Sequence, residues 1–382
     1  MRRLVALDMA GDAGFVAAMR RVHDAGDAVL PVDQRLPAPA KIRVLEALRP
    51  AVVVGADGDE TKLAAARPIE EGDAYVVATS GTTGEPRGVV LTHDAVTASA
   101  CAVSTRLGVD PARDKWLCCL PLAHVGGLAV VTRALATGTP LEVQPVFAVG
   151  GVTSAAARGA TLVSLVPTTC ARLGAEAARF RTIVLGGGPM PNVRPRNAVA
   201  TYGMTETGSG VVYDGWPLDG VEIRIAAGGE IVLRGPMLLR AYRFGDDPKD
   251  ADGWFRTGDA GMLSPQGQLE VFGRMADVIR TGGESVWPVP VEAVLRAHPG
   301  VAEVVIVGVP DPEWGERVVA VVETTDASPP TLDELRELVR GELGPIAAPK
   351  ELVLVPALPR TGIGKVRRDT LKRALAEGDI GR

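Results

Sequence analysis

The stretch 79–88, TSGTTGEPRG, contains the residue types that bind phosphate. Its glycines let backbone N–H groups converge on an anion, its hydroxyl side chains add donors, and Arg87 adds a fixed positive charge. It lacks the Gly-Lys-Ser/Thr ending of the Walker pattern, and alone such a stretch is more often an ordinary loop. As a binding loop it would use these residues: Thr79, Ser80, Gly81, Thr82, Thr83, Gly84 and Arg87.

Further short motifs follow in a fixed order: PLAHVGGL (121–128), VLGGGPM (184–190), TYGMTET (201–207), GWFRTGD (253–259), VFGR (271–274), TGGESV (281–286) and PRTGIGKVRR (359–368). Together with the first stretch they resemble the motifs of the adenylate-forming superfamily, which includes acyl-CoA synthetases, luciferases and the adenylation domains of peptide synthetases. The resemblance extends over about residues 74–368. It implies a reaction in two steps. A carboxylate attacks the α-phosphate of ATP to give an acyl-adenylate and pyrophosphate, and a thiol then displaces AMP.

The resemblance also implies roles for single residues around ATP. The loop at 79–87 would hold the β- and γ-phosphates, and Tyr202 would lie against adenine. Thr205 would donate to the α-phosphate, and Glu206 would ligate Mg²⁺, a hard cation that prefers oxygen ligands. The same likeness adds these residues to the nucleotide site: Gly187, Gly188, Pro189 and Gly203, the last also beside the acid.

Other roles implied by the resemblance fall later in the chain. Asp259 would accept both ribose hydroxyls with help from Arg274, and Lys365 would bridge the carboxylate and the α-phosphate in the first step. Gly282 and Gly283 would lie where the pantetheine arm of coenzyme A passes close to the backbone. The implied cofactors are therefore ATP, Mg²⁺ and coenzyme A.

These motifs need elements to position them. Between residues 74 and 207 the apolar runs AYVVATS, KWLCCLP, TLVSLVP and TIVLGGG alternate with helix-like segments, which is typical of parallel strands covered by helices. The helix-like segments include Asp94–Leu107 and Leu128–Thr137, the latter ended by Gly138. A β-hairpin pattern around Gly228–Gly229 predicts a more open antiparallel layer. After Gly273 the pattern predicts a small α+β domain with these elements: helices at Pro288–Ala297 and Leu332–Leu343, and strands at Ala302–Val307, Val318–Val322 and Leu352–Val355.

We therefore expect an α/β fold with a large N-terminal domain of sheets covered by helices and a smaller, mobile C-terminal α+β domain. The predicted limits are 1–274 for the large domain, 275–277 for the hinge and 278–382 for the small domain. In the family the small domain closes for adenylation and then rotates for the thiol step. The family pivot is usually Asp or Lys, and Ala276 at this position leaves the electrostatic control of the joint open.

Two residues are candidates for binding the acid substrate. His124 occupies the family position that borders the acyl pocket, where it would be both catalytic and substrate-binding; the alternative is a histidine satisfied at a strand end. Arg133 lies in an otherwise apolar segment, GGLAVVTRALATG, where a charge is expensive unless paired. It is either a clamp for a second carboxylate on the substrate or a side chain that snorkels to the surface.

A basic residue at this offset is found in o-succinylbenzoate-CoA ligases of menaquinone biosynthesis, whose substrate has two carboxylates. LGGGPMP, TGGESVWPVPVEAVL and LPRTGIGKV resemble the compact actinobacterial forms, which also have a short N-terminal region. We therefore expect an acid-CoA ligase that makes o-succinylbenzoyl-CoA. The alternatives are a ligase for another aryl or acyl acid, an enzyme that loads a carrier protein, and a non-catalytic nucleotide-binding relative. Lys365, Glu206 and Asp259 argue against the last.

Composition excludes some other classes. The net charge of −5 and the pI of about 5.6 provide no basic field for nucleic acid. The first apolar run ends at Asp8, far short of a signal-peptide core, so we expect a cytoplasmic protein with no membrane partner. The cysteines have no metal-ligand spacing, which predicts reduced, buried thiols. A homo-oligomer is left open.

Overall fold

The computed structural model describes residues 2–80, 85–188, 190, 194–325, 328–360 and 366–380. Its helices are α1 (Ala13–Asp24), α2 (Ala38–Leu48), α3 (His93–Leu107), α4 (Val125–Thr137), α5 (Val149–Ala157), α6 (Pro167–Leu173), α7 (Pro288–Leu295), α8 (Leu332–Leu343) and α9 (Arg368–Glu377). Short 3₁₀ turns lie at Gly174–Arg179, Thr205–Thr207 and Met275–Asp277.

The strands are β1 (Leu4–Asp8), β2 (Ala28–Pro31), β3 (Val52–Gly55), β4 (Glu60–Lys62), β5 (Asp73–Ser80), β6 (Pro86–Thr92), β7 (Trp116–Cys118), β8 (Leu141–Val143), β9 (Leu162–Leu165), β10 (Thr182–Leu185), β11 (Ala198–Met204), β12 (Ser209–Tyr213), β13 (Trp216–Pro217), β14 (Glu222–Ile225), β15 (Glu230–Arg234), β16 (Ala241–Tyr242), β17 (Phe255–Leu263), β18 (Leu269–Arg274), β19 (Ile279–Thr281), β20 (Glu284–Val286), β21 (Val301–Asp311), β22 (Gly315–Thr324) and β23 (Glu351–Val355).

The described chain divides into two compact units. The first consists of Met1–Met190, Pro195–Ile223 and Val232–Arg256, and the second mainly of Arg224–Ile231 and Thr257–Arg382. The predicted α/β class, with a large N-terminal part and a smaller C-terminal part, is confirmed. The predicted joint at 275–277 falls on a 3₁₀ turn inside the second unit, and the domain limits stay a prediction.

The first sheet of the first unit has the strand order β16-β6-β5-β2-β1-β3-β4. β1 is parallel to β2 and β3, and β2 is parallel to β5, so β1, β2 and β5 end at the same edge. β1 and β2 are nearly unbroken apolar runs, as expected of parallel strands with both faces covered. The sequence interpretation predicted one strand of this sheet, the run 74–80 that forms part of β5, and assigned no elements before residue 74.

The second sheet has the order β13-β12-β11-β10-β9-β7-β8. β8, β7, β9, β10 and β11 pair in parallel, and β12 pairs antiparallel to β11. Helices α5 and α6 cover buried residues of β7, β9 and β10, which form one hydrophobic core. The predicted parallel strands covered by helices are therefore confirmed for this sheet.

Helix ends in this unit follow local chemistry. The Thr92 hydroxyl accepts a hydrogen bond from the Ala95 backbone N–H (3.1 Å) at the start of α3, and Gly108 and Gly138 end α3 and α4 in the left-handed conformation. α4 begins three residues before the predicted Leu128, because His124 already has the extended backbone of an N-cap.

In the second unit the sheet has the order β20-β19-β22-β21, and β23 pairs in parallel with β22. Alternate residues of the long β21–β22 hairpin pack on opposite faces, one against α7 and α8 and the other against α9. The predicted helix Leu332–Leu343 has the observed bounds, while β21 and β22 are longer than predicted. The antiparallel layer expected around Gly228–Gly229 corresponds to the sheet β14-β15-β17-β18.

Cys118, Cys119 and Cys170 are buried as predicted, but Cys101 is exposed because it lies on the solvent side of α3. Within the described residues, no helix has the length and apolar character that a membrane span requires.

Candidate active site

The candidate residues of the first unit cluster where parallel strands end. β7, β10 and β11 lead at their carboxyl ends into the segments that contain His124, Gly187 and Glu206. β2 and β5 of the other sheet lead into Asp33 and the predicted phosphate loop. Ligands of open α/β sheets bind outside the carboxyl ends of the strands, so this is the expected place for a site.

The phosphate loop connects the antiparallel strands β5 and β6, with Thr79 opposite Arg87 in the register. The Thr79 hydroxyl donates to the Arg87 carbonyl oxygen (3.3 Å). Gly81, Thr82, Thr83 and Gly84, and the side chain of Ser80, lie outside the described residues. The structure therefore places the two ends of the loop, with the Arg87 guanidinium 3.9 Å from the ring centroid of Tyr242.

The TYGMTET motif forms the end of β11 and the 3₁₀ turn that holds Thr205 and Glu206. A Cβ atom at Gly203 would lie 2.2 Å from the carbonyl oxygen of Ser209, so only glycine fits between the strands here. Tyr202 is half-buried in β11. The motif thus places its polar residues on a tight turn directly after a strand.

Tyr242 connects this turn to the phosphate loop. Its phenolic O–H donates to Glu206 Oε1 (2.9 Å), while its ring lies under Arg87. The sequence reasoning missed Tyr242, which lies in β16 beside β6. Arg87 and Glu206, predicted for phosphate and Mg²⁺ respectively, are therefore brought together through one side chain.

The carboxylate of Glu206 fits the role of a magnesium ligand. Oε1 is oriented by Tyr242, and Oε2 forms no hydrogen bond within the described part of the chain. Among those residues, no group of three or more His, Cys, Asp or Glu side chains could hold a metal by itself. Mg²⁺ is commonly bound by one or two carboxylates together with substrate phosphates, and a single carboxylate beside a phosphate loop suits that arrangement.

His124 is the N-cap residue of α4, and its imidazole is anchored by the loop after β2. Nε2 lies 3.1 Å from Asp33 Oδ2 and 2.7 Å from Arg35 Nη2. Burial raises the pKa of the Asp33 carboxyl, but hydrogen bonds from His124 and Arg35 outweigh it and hold that pKa well below its usual range. Sequence reasoning missed Asp33 and Arg35.

Arg133 is buried on α4, with only 3% of its surface exposed, so the snorkelling alternative is wrong. One guanidinium nitrogen donates to the Ser209 hydroxyl, and the group lies 5.8 Å from the ring centroid of Trp116. Arg133 Nε and Trp116 Nε1 are buried without a hydrogen-bond partner in the described residues. No carboxylate among those residues forms an ion pair with Arg133.

The glycine motif after β10 turns sharply at Gly187, whose φ of +81° favours glycine. The space that a Cβ at Gly188 would enter is bounded by Pro167 at 3.8 Å. Pro189 lies outside the described residues. The roles of these residues at the nucleotide stay predictions.

The candidate residues of the second unit are Asp259 and Arg274, which pair across β17 and β18. Arg274 Nε lies 3.0 Å from Asp259 Oδ1, and Arg274 Nη1 donates to the Thr257 carbonyl (3.1 Å). Asp259 is 7% exposed and its backbone N–H donates to the Thr257 hydroxyl (3.0 Å). The carboxylate is therefore held in a fixed orientation, as an acceptor for two ribose hydroxyls requires.

Gly282 and Gly283 form the turn between β19 and β20, and both have positive φ, +57° and +82°. A Cβ at Gly282 would lie 3.2 Å from the Trp314 ring, so a side chain would crowd this turn. The backbone here is thus open to close approach at Gly283, where no atom lies within 4 Å of a built Cβ.

Lys365 lies outside the described residues, but its flanking segments are anchored. Arg360 and Val366 form an antiparallel bridge, and Arg367 N donates to the Pro359 carbonyl (2.8 Å). Arg368 makes ion pairs with Glu292 (2.6 Å), a fully buried carboxylate, and with Asp277 (3.7 Å) at the predicted joint.

Comparison with known proteins places this arrangement in a class. The model of the AMP-binding enzyme family matches residues 58–243, and the model of the AMP-binding enzyme C-terminal domain matches residues 290–365. The chain therefore belongs to the family of AMP-binding, adenylate-forming enzymes, as the motifs predicted.

Individual relatives show which members of this family the chain is similar to. The chain is 42% identical over 367 residues to a probable 2-succinylbenzoate–CoA ligase of Mycobacterium tuberculosis, covering 88% of this chain and 94% of that protein. It is 35% identical over 330 residues to a 2-succinylbenzoate–CoA ligase of Listeria monocytogenes, covering 78% and 69%. The solved o-succinylbenzoate CoA synthetase of Bacillus subtilis, in complex with the acyl-adenylate intermediate OSB-AMP, has a TM-score of 0.85 at 28% identity and covers 97% of this chain and 89% of that one.

Proposed function

We propose that this chain is an ATP-dependent acid-CoA ligase that converts 2-succinylbenzoate to its CoA thioester through an acyl-adenylate. The relatives named above support the reaction and the acid, since this chain matches 94% of the length of one that is named a probable 2-succinylbenzoate–CoA ligase. One solved relative was captured with the acyl-adenylate, and another structure of it holds ATP and a magnesium ion.

The choice of acid rests on the burial of Arg133, which has no carboxylate partner among the described residues. A buried guanidinium without a carboxylate partner is costly, by several kcal/mol in proteins. Its nearest polar contact, the Ser209 hydroxyl, is neutral and cannot balance the charge. A substrate with two carboxylates can place one at Arg133 and leave the other free to attack ATP. An acid with one carboxylate cannot do both.

The nucleotide side of the first step rests on Arg87, Tyr242 and Glu206. Arg87 would contact the β- and γ-phosphates from the end of the loop, with its guanidinium plane held against Tyr242. Glu206 would hold Mg²⁺ with a carboxylate already oriented by the tyrosine hydroxyl. When bound, Mg²⁺ neutralises phosphate charge and so opens the α-phosphate to attack by a carboxylate. Thr205 would donate to the same phosphate from the neighbouring position.

The second unit would complete the reaction. Asp259, oriented by Arg274, would accept the ribose hydroxyls, and Lys365 would bridge the acid and the α-phosphate. For the thiol step, the open backbone at Gly283 suits close approach of a pantetheine arm. A mobile small domain with its joint at 275–277 would bring the lysine and the glycines to the site in turn. A cytoplasmic location and the oligomeric state stay predictions.

The experiment combines product analysis with a variant of Arg133. Purified enzyme with ATP, Mg²⁺ and coenzyme A should release AMP with 2-succinylbenzoate, and mass spectrometry should detect the free CoA thioester. Arg133→Met keeps an apolar side chain of similar length but removes the charge. Loss of a buried charge pair costs about 2–5 kcal/mol, so the KM for 2-succinylbenzoate should rise about 100-fold.

Benzoate serves as the comparison acid and Arg106→Met as the matched control, because Arg106 is an exposed helix arginine bonded to the Pro217 carbonyl. Arg133→Met should leave the KM for benzoate unchanged within a factor of about three. An equal loss with both acids would assign Arg133 to structure. Acylation of a carrier protein's phosphopantetheine without any free thioester would overturn the CoA ligase assignment.

A further inference from the structure

Asp259 lies on an irregular part of β17. Gly258, just before it, has a φ of +70°, and the register with β18 shifts between Ala260 and Gly261, just after it. A regular strand is fixed by its backbone ladder, whereas an irregular segment needs other partners for its backbone groups. The direction of the Asp259 carboxylate therefore depends on what holds the backbone at residues 258 and 259.

Two side-chain oxygens hold this backbone. Glu230 Oε1 accepts from the Gly258 N–H (3.0 Å), and the Thr257 hydroxyl accepts from the Asp259 N–H (3.0 Å). Glu230 begins β15 and is 8% exposed, and Thr257 is 5% exposed. Burial of a carboxylate or a hydroxyl is costly unless the group is hydrogen-bonded, so both bonds are favoured. Two consecutive N–H groups are thus fixed by buried acceptors.

Thr257 also connects Asp259 to β15 and to Arg274. Its hydroxyl donates to the Ile231 carbonyl oxygen (2.7 Å), and its own carbonyl oxygen accepts from Arg274 Nη1 (3.1 Å). The Arg274 side chain is 56% exposed, whereas the Asp259 side chain is 9% exposed. An exposed arginine keeps much of its rotamer freedom, so Arg274 by itself fixes the carboxylate poorly. Thr257 constrains both members of this ion pair.

We infer that Glu230 and Thr257 are positioning residues that direct the Asp259 carboxylate at the ribose and so make the enzyme select nucleotides by their ribose hydroxyls. This rests on the proposed function, in which Asp259 accepts both hydroxyls. Hydrogen bonds weaken steeply as their geometry departs from the favoured angles, so a small rotation of the carboxylate weakens binding of the ribose. Both positioning residues act through Asp259, because their side-chain oxygens bind the protein backbone.

The test compares ATP with 2′,3′-dideoxyATP, which lacks both ribose hydroxyls. A hydrogen bond to a charged group corresponds to a preference of about ten-fold or more, so two such bonds predict about a 100-fold higher kcat/KM for ATP in the wild-type enzyme. The assay is release of pyrophosphate with 2-succinylbenzoate and coenzyme A. Calorimetric titration with each nucleotide gives the same comparison without turnover. Equal binding of the two nucleotides by the wild-type enzyme would overturn the inference.

Two pairs of variants separate positioning from folding. Thr257→Val replaces the hydroxyl by a methyl group, and Glu230→Met removes the acceptor at similar length. Each should lower kcat/KM for ATP about ten-fold and change that for 2′,3′-dideoxyATP less than about two-fold, because a misdirected carboxylate loses a ribose bond. Thr257→Ser and Glu230→Gln keep an oxygen acceptor and should retain most of the preference. Ser264→Ala is the matched control, since its hydroxyl accepts the Gln268 N–H (3.1 Å) in the turn at the far end of the same hairpin.

Each outcome decides between positioning and structure. Equal losses with both nucleotides would show that Glu230 and Thr257 act on the fold instead, and an undiminished preference in Thr257→Val would also sink the inference. If Glu230→Met does not fold, Thr257→Val and Thr257→Ser carry the same comparison. A wild-type enzyme that turns over no tested acid sinks the proposed function, and titration with the two nucleotides then still decides this inference.

Discussion

Replacing Tyr242 by phenylalanine removes one hydroxyl group and leaves the ring under Arg87 in place. The lost contact is the 2.9 Å hydrogen bond to Glu206 Oε1. A hydrogen bond to a charged group contributes about 1.5–3 kcal/mol when water cannot replace it. Because Glu206 and Tyr242 are only half-buried, water can replace part of this bond, and we expect loss of the bond to cost about 1 kcal/mol.

This free-energy cost should raise the Mg²⁺ concentration that the enzyme requires. A change of about 1 kcal/mol corresponds to roughly a five-fold change in an equilibrium constant. The Mg²⁺ concentration for half-maximal pyrophosphate exchange at fixed ATP should therefore rise about five-fold in Tyr242→Phe. Tyr242→Leu also loses the cation–π contact with Arg87, worth about 0.5–1 kcal/mol at an exposed site, and should be impaired further in its KM for ATP.

Tyr75→Phe is the matched control, because its hydroxyl donates to Met19 Sδ in the core of the same unit. Calorimetric titration of ATP with and without Mg²⁺ gives a readout that does not depend on turnover. The reasoning fails if Tyr242→Phe responds to Mg²⁺ like the wild type. It also fails if the variant loses kcat at every Mg²⁺ concentration with no change in the half-maximal concentration.

Two further predictions concern titration. Burial raises the pKa of Glu142, but hydrogen bonds from Arg158 and Lys115 outweigh it and lower the pKa from 4.5 to about 2, so Glu142 adds stability above about pH 4.5 that is lost as the pH falls toward 2. Glu142→Gln should lower the melting temperature at pH 7 but not near pH 2, and an equal drop at both values would contradict this. Burial raises the pKa of the Cys118 thiol to about 12, so at pH 8 a thiol reagent should modify exposed Cys101 in the native enzyme and leave Cys118 intact until unfolding. Modification of Cys118 at the rate of Cys101 would show that the core opens.

The sequence predicted the parts of this fold whose signals are local. Short apolar runs marked β9 and β10, and the glycine at position 138 marked the end of α4. Arg133 was identified for the same reason, since a charge inside an apolar helix is visible without a structure. Its burial was not visible, because a helix pattern alone does not say which neighbours cover it.

The residues that sequence reasoning missed depend on long-range packing. Asp33 meets His124 across 91 positions of the chain, and Tyr242 meets Glu206 across 36. Each contact joins one sheet to the other, so it depends on how the sheets face each other. One usable signal was present: VDQRLP places polar residues directly after the apolar strand β2, where parallel strands deliver ligand-binding residues.

The guanidinium of Arg133, which has no carboxylate partner among the described residues, also bears on the lifetime of the enzyme in the cell. A ligand that binds only the folded state shifts the folding equilibrium toward it, and here the ligand would supply a counter-charge to buried Arg133. An enzyme whose interior is completed by its own substrate resists unfolding and proteolysis best while that substrate is abundant. Supply of the acid would then set not only the rate of turnover but also the amount of enzyme that survives.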